Sequence, residues 1–125
     1  MARILIIDDD DELRSMLRQM LEQAGHEVTE AVNGAEGIQL YEQDRPDLII
    51  TDIIMPEKEG VETIIALRRA DPDLPIIAIS GGGRLDATDF LTMAGKLGAR
   101  RTLSKPFRRD QLLEAVGECL AEDEA

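Results

Sequence analysis

The chain has a single cysteine, a single histidine and no apolar run that approaches a membrane span or a secretory signal. Without a second thiol no internal disulfide can form, and a reducing cytoplasm is the simplest home for such a sequence. Cys119 falls in a helical apolar pattern with Leu112, Leu113, Val116 and Leu120, which marks it as a buried structural thiol. Zinc finds no ligand set, and His26, between a helix-ending glycine and an edge strand, reads as a surface residue. Positive charge is scarce as well: 14 Lys and Arg against 26 Asp and Glu give a formal net charge of -12. That balance argues against direct nucleic-acid binding, whose phosphates demand a basic surface, and favours positive ligands. The cations present are concentrated: from Arg84 to Arg109 the sequence holds seven Lys or Arg and only Asp86 and Asp89. This stretch is either a solvated helical face or, more weakly, a surface for an acidic partner.

What the sequence does have is a regular alternation of short apolar strands and amphipathic helices. With 125 residues the length predicts one domain, able to bury roughly two thirds of the surface its unfolded chain exposes. Residues 1–120 are expected to form it, with 121–125 a short acidic tail that frays. Ile4 to Ile7 predicts a buried strand that breaks into Asp8-Asp9-Asp10-Asp11-Glu12. Asp10 or Asp11 can cap the helix that follows, and Glu12 suits its first turn, whereas Asp8 and Asp9 have no such structural reason. Leu13, Met16, Leu17, Met20, Leu21 and Ala24 mark the helix, with Gly25 as its C-terminal cap. Glu27 to Ala31 reads as an edge strand, and Asn33 with Glu36 opens a second helix that runs to about Asp44. Leu48-Ile49-Ile50 is a buried strand delivering Asp52, and a third helix carries Val61, Ile64, Ile65 and Leu67. Ile76 to Ser80 is the fourth strand, followed by Gly81-Gly82-Gly83 and a fourth helix around Phe90, Leu91, Met93 and Ala94. Arg101 to Ser104 and Leu112 to Leu120 supply the fifth strand and last helix.

Five strand-helix units imply a doubly wound α/β fold with a mainly parallel sheet covered on both faces. In such a sheet ligands bind beyond the carboxyl ends of the strands, where Asp8, Asp9, Asp52, Ser80 and Lys105 would all project. Three carboxylates gathered there repel one another, so a cation is expected among them. Oxygen-only ligands point to a hard divalent ion, and few carboxylates with room for water and phosphate oxygens suit Mg2+ better than calcium. A metal, a lysine and a hydroxyl converging on one carboxylate form a clamp for a phosphoryl group, with Asp52 the natural nucleophile.

The acid pair Asp8-Asp9, the TDIIMPEKEG run around Asp52, AISG with Ser80 and SKPF with Lys105-Pro106 together resemble a response-regulator receiver domain of two-component signalling, in the single-domain style of the chemotaxis regulators. The resemblance covers nearly the whole chain. It implies a flavodoxin-like (βα)5 fold with strand order 2-1-3-4-5. It also implies that Asp52 takes a phosphoryl group from a phosphohistidine on a histidine kinase or histidine phosphotransfer protein. Asp9, Asp52 and the backbone carbonyl of Ile54 would hold Mg2+, Asp8 assisting through water, while Lys105 and Ser80 read the phosphoryl oxygens. Output to a downstream protein would pass through the face formed by the fourth helix, fifth strand and fifth helix. No membrane contact and no turnover of an external substrate are expected, only the chain's own phosphorylation and dephosphorylation.

Two departures from the family pattern bear on mechanism. Thr102 stands where the family usually places a switch aromatic, so the coupled swing of a hydroxyl and a ring is not available as such. Three glycines after Ser80 give a loop with little side-chain bulk, which predicts an open, mobile site edge. Two other functions compete: a degenerate scaffold receiver that is not phosphorylated, and an aspartate-nucleophile phosphatase. The phosphatase lacks support, since no DxD arrangement surrounds Asp52 and no cap insertion encloses a substrate.

Overall fold

The computed structural model describes residues 2–52, 59–80, 99–104 and 107–124. Its elements follow in the order β1 (Arg3–Ile7), α1 (Asp11–Gln23), β2 (Glu27–Ala31), α2 (Gly34–Gln43), β3 (Leu48–Asp52), α3 (Glu59–Ala70), β4 (Ile76–Ser80), β5 (Arg101–Ser104) and α4 (Arg109–Glu124). The helix expected around Phe90 to Ala94, the glycine loop, Ile54 and Lys105-Pro106 lie outside the described residues.

Local chemistry explains why the elements begin and end where they do. The Asp10 carboxylate caps α1 by accepting from the amides of Glu12 at 3.0 Å and Leu13 at 3.2 Å, satisfying donors that have no intrahelical partner. At the other end Gly25 takes φ 94°, and the amides of Gly25 and His26 donate back to the carbonyls of Glu22 and Leu21, both at 3.0 Å. This is a Schellman closure, which glycine adopts without the steric penalty a Cβ would bring. Asn33 caps α2 by accepting from the Glu36 amide at 2.8 Å. The last helix continues through Glu124, so residues 121–124 extend it rather than leaving it as a tail; alanine and glutamate are good helix formers.

All five strands are parallel, in the order β2-β1-β3-β4-β5. Alternating side chains sort the core into two layers, one on each face of the sheet. Ile4, Ile6, Leu48, Ile50, Ile77 and Ile79 meet α1 and α4 through Leu17, Leu21, Leu112, Val116 and the buried Cys119. Leu5, Ile7, Ile49, Ile76 and Ala78 meet α3 through Ile64 and Leu67, with Ile38, Leu40 and Tyr41 of α2 packed alongside. β3 is central and every one of its residues is buried, as strands covered on both faces require. Among the described residues no helix is long and apolar enough to cross a membrane.

Candidate functional site

Parallel register fixes which strand ends meet. Ile7 stands opposite Thr51, so Asp8, the next residue of β1's chain, comes level with Asp52 at the end of β3. Asp52 in turn faces Ile79, which puts Ser80 one step beyond it on β4, and Ser80 is paired with Ser104 on β5. Lys105 follows Ser104 in the sequence but lies outside the described residues, as does the carbonyl of Ile54. The backbone of Ser80 is therefore at the expected strand end, and Thr102 is exposed on β5 opposite Ala78.

The three carboxylates do come together. Asp8, Asp9 and Asp52 each offer an oxygen within 4.8 Å of the others. Asp8 is 1% exposed and Asp52 5% exposed, while Asp9 lies open to solvent. The donor set is all oxygen, which suits a hard divalent cation. Oxygens on one octahedral magnesium ion stand about 3.0 Å apart when adjacent and about 4.2 Å when opposite, so carboxylates gathered within 4.8 Å need only close in on an ion to share its coordination shell. The residues present therefore fit the metal.

The turn that carries Asp8 and Asp9 is tied from several sides. Its amide at Asp8 donates to the Ala31 carbonyl at 3.1 Å, extending the β1–β2 ladder by one residue. Asp8 Oδ1 accepts from the Asp10 amide at 2.8 Å, an Asx turn that bends the chain toward α1. Arg14, on the first turns of α1, donates through Nη1 to the Asp8 carbonyl at 2.7 Å, through Nη2 to Asp11, and through Nε to Glu30 Oε1 at 3.3 Å. Burial works against the Arg14 charge, but hydrogen bonds and the charges of Asp11 and Glu30 outweigh it and hold the guanidinium protonated above its ordinary value. Arg18 grips Glu30 from the other side, Nη1 to Oε2 at 2.7 Å. On β3, Thr51 is fully buried and its hydroxyl donates to the Asp52 carbonyl at 3.2 Å.

Arg14, Glu30 and Thr51 were not marked by the sequence reading. A signal for the first was present, since Arg14 sits three residues after Asp11 beside the apolar stripe of Leu13 and Leu17. Two cations of the basic stretch are partnered within the molecule. Arg100 donates to the Asp73 carbonyl at 2.8 Å and Arg101 to Glu118 at 2.9 Å and the Arg100 carbonyl at 2.8 Å. These two arginines serve loops and α4 within the molecule, and their guanidiniums are not a bare patch for an acidic partner.

A family model described as "Response regulator receiver domain" matches residues 4–117. The chain is 36% identical over 115 residues to the chemotaxis protein CheY of Thermotoga maritima, covering 91% of this chain and 93% of that protein. It is 36% identical over 119 residues to CheY of Bacillus subtilis, covering 94% and 97%. The solved receiver domain protein from Clostridium thermocellum superposes with a TM-score of 0.91 at 28% identity, covering 99% of this chain and 98% of that one. With the strand order, the clustered carboxylates and a match over nearly all its length, the chain belongs to the response-regulator receiver domain family.

Proposed function

We propose that this chain is a phosphorylation-operated switch in which Asp52 accepts a phosphoryl group from a phosphohistidine on a histidine kinase or histidine phosphotransfer protein. The observation that carries it is the gathering of Asp8, Asp9 and Asp52 within 4.8 Å at the carboxyl ends of two adjacent strands. A carboxylate oxygen of Asp52 attacks phosphorus, the phosphorus–nitrogen bond breaks, and its electron pair stays on the imidazole nitrogen. Asp52 suits the role because a central strand buried on both faces holds its backbone rigid, with the Thr51 hydroxyl on its carbonyl. Asp8 and Asp9, with Asp52 and the carbonyl of Ile54, would hold Mg2+, which when bound neutralises charge on the phosphoryl oxygens. Ser80 ends β4 and Lys105 follows β5 in the sequence, and both would hydrogen-bond those oxygens, reporting the phosphoryl group to the β5 and C-terminal helix side. Thr102, exposed on β5, presents a small hydroxyl where the family usually places a ring. The setting is cytoplasmic, where histidine kinases present their phosphohistidine.

Intact-mass analysis after incubation with a small phosphodonor tests this. The expected result is one phosphoryl adduct that requires both magnesium and Asp52, absent in Asp52→Asn. A folded, magnesium-binding protein that forms no adduct would instead be a scaffold receiver.

A further inference from the structure

Among the described residues three charged side chains are buried: Asp8 at 1% exposure, Asp52 at 5% and Arg14 at 9%. Two belong to the carboxylate cluster. The third meets Asp8 at the main chain, on the carbonyl of the peptide that joins Asp8 to Asp9, at 2.7 Å. We propose that Arg14 is the positioning residue of the acidic turn, fixing the Asp8–Asp9 peptide so that both carboxylates face Asp52; this rests on the metal-centre reading of the cluster.

The geometry requires an arginine. Three donors of one planar fork diverge to the Asp8 carbonyl, to Asp11 in the first turn of α1 and to Glu30 on β2. A lysine ammonium is a compact point charge and cannot span these positions together. Glu30 is itself clamped by Arg18 at 2.7 Å, so the guanidinium is anchored to the edge strand and not only to its own helix. On its other side the same turn is held by the Asp8 amide on the Ala31 carbonyl at 3.1 Å. Asp9, exposed and beyond the last residue of β1, takes its direction from the peptide that Arg14 holds.

Positioning and simple electrostatics make opposite forecasts, which permits a decisive test. A cation beside three carboxylates repels a divalent ion, so on charge alone its removal tightens metal binding. If Arg14 positions the ligands, its removal weakens binding despite that gain. Magnesium chloride titrations of the full chain, followed by amide chemical shifts, read the affinity of folded molecules only. Arg14→Gln and the charge-preserving Arg14→Lys are each expected to bind magnesium more weakly by on the order of tenfold, the usual scale for residues that orient metal ligands. Arg3→Gln, the same charge change at the opposite end of β1 where the side chain pairs with Asp44, is expected to bind as the wild type. Tighter binding in Arg14→Gln, or unchanged binding in Arg14→Lys, overturns the proposal while leaving the metal centre standing. Absence of magnesium binding in the wild type overturns the metal centre and the proposal with it. Should Arg14→Gln fail to fold, the lysine variant decides.

Discussion

His26 is half-buried, and its Nδ1 accepts a hydrogen bond from the Ala2 amide at 3.3 Å. The sequence reads it as a surface residue because nothing local signals that the chain's start folds back over it. Burial holds its pKa below the ordinary value of 6.5. A base with a lowered folded pKa is neutral in both states above 6.5, and below that value the unfolded chain binds more protons. Stability is therefore expected to fall as pH drops from 7 to 5.5, above the range where most carboxylates titrate. Denaturant unfolding at both pH values checks this, and in His26→Gln that part of the pH dependence should vanish. Legibility at this scale follows exposure to sequence-local logic. Asp8, Asp9 and Asp52 could be marked because acids at the carboxyl ends of apolar strands sit where such a sheet binds ligands, although Asp8 also closes an Asx turn on the Asp10 amide. Arg14 had only its spacing from Asp11 as a signal, since an arginine on an amphipathic helix is ordinarily a solvated one and its partners Asp8 and Glu30 lie outside its helix.

Elements were the most legible level, because caps and periodicities are local. Asp10, Gly25 and Asn33 sit at the helix ends that their chemistry predicts. Helix-to-sheet spacing was not legible, since it depends on which residues face one another after folding. Gly37 of α2 shows this: a Cβ there would lie 2.4 Å from Ile7 Cδ1 and 2.8 Å from Cγ1. Ile7 is fully buried and immediately precedes Asp8, so it has little space to yield. Gly37→Ala should gain helix propensity yet lose about 1–3 kcal/mol to overpacking, with the acidic turn displaced. Ile7→Val removes the closest methyl and should recover part of the loss in a double-mutant cycle. Gly117 of α4 is the contrast. Nothing lies within 4 Å of its added Cβ, and Gly117→Ala should stabilise the protein by about 0.5–1 kcal/mol in chemical denaturation.

Across the whole molecule, strand order was available only through family resemblance; hydrophobic periodicity identifies strands but not their neighbours. The order has an electrostatic consequence that composition alone cannot give. Placing β1 beside β3 brings Asp8, the residue after β1, level with Asp52, adding a local concentration of negative charge to a chain whose formal charge is already -12. Full charges about 5 Å apart cost a few kcal/mol at an effective dielectric near 20, and burial of two of the three limits relief by solvent. The folded state thus carries a penalty at its site that the unfolded chain, with the acids apart, does not. Asp52→Asn should melt above the wild type in a chelator, because one charge of the cluster is gone. Added magnesium binds the folded wild type and stabilises it in proportion to the logarithm of its concentration over Kd. The difference should then shrink, and reverse once magnesium is well above Kd, since the variant has lost a ligand. Calorimetric melting of both proteins in chelator and across a magnesium series checks the crossing. Parallel curves for the two proteins would mean that the clustered acids neither strain the fold nor hold the ion.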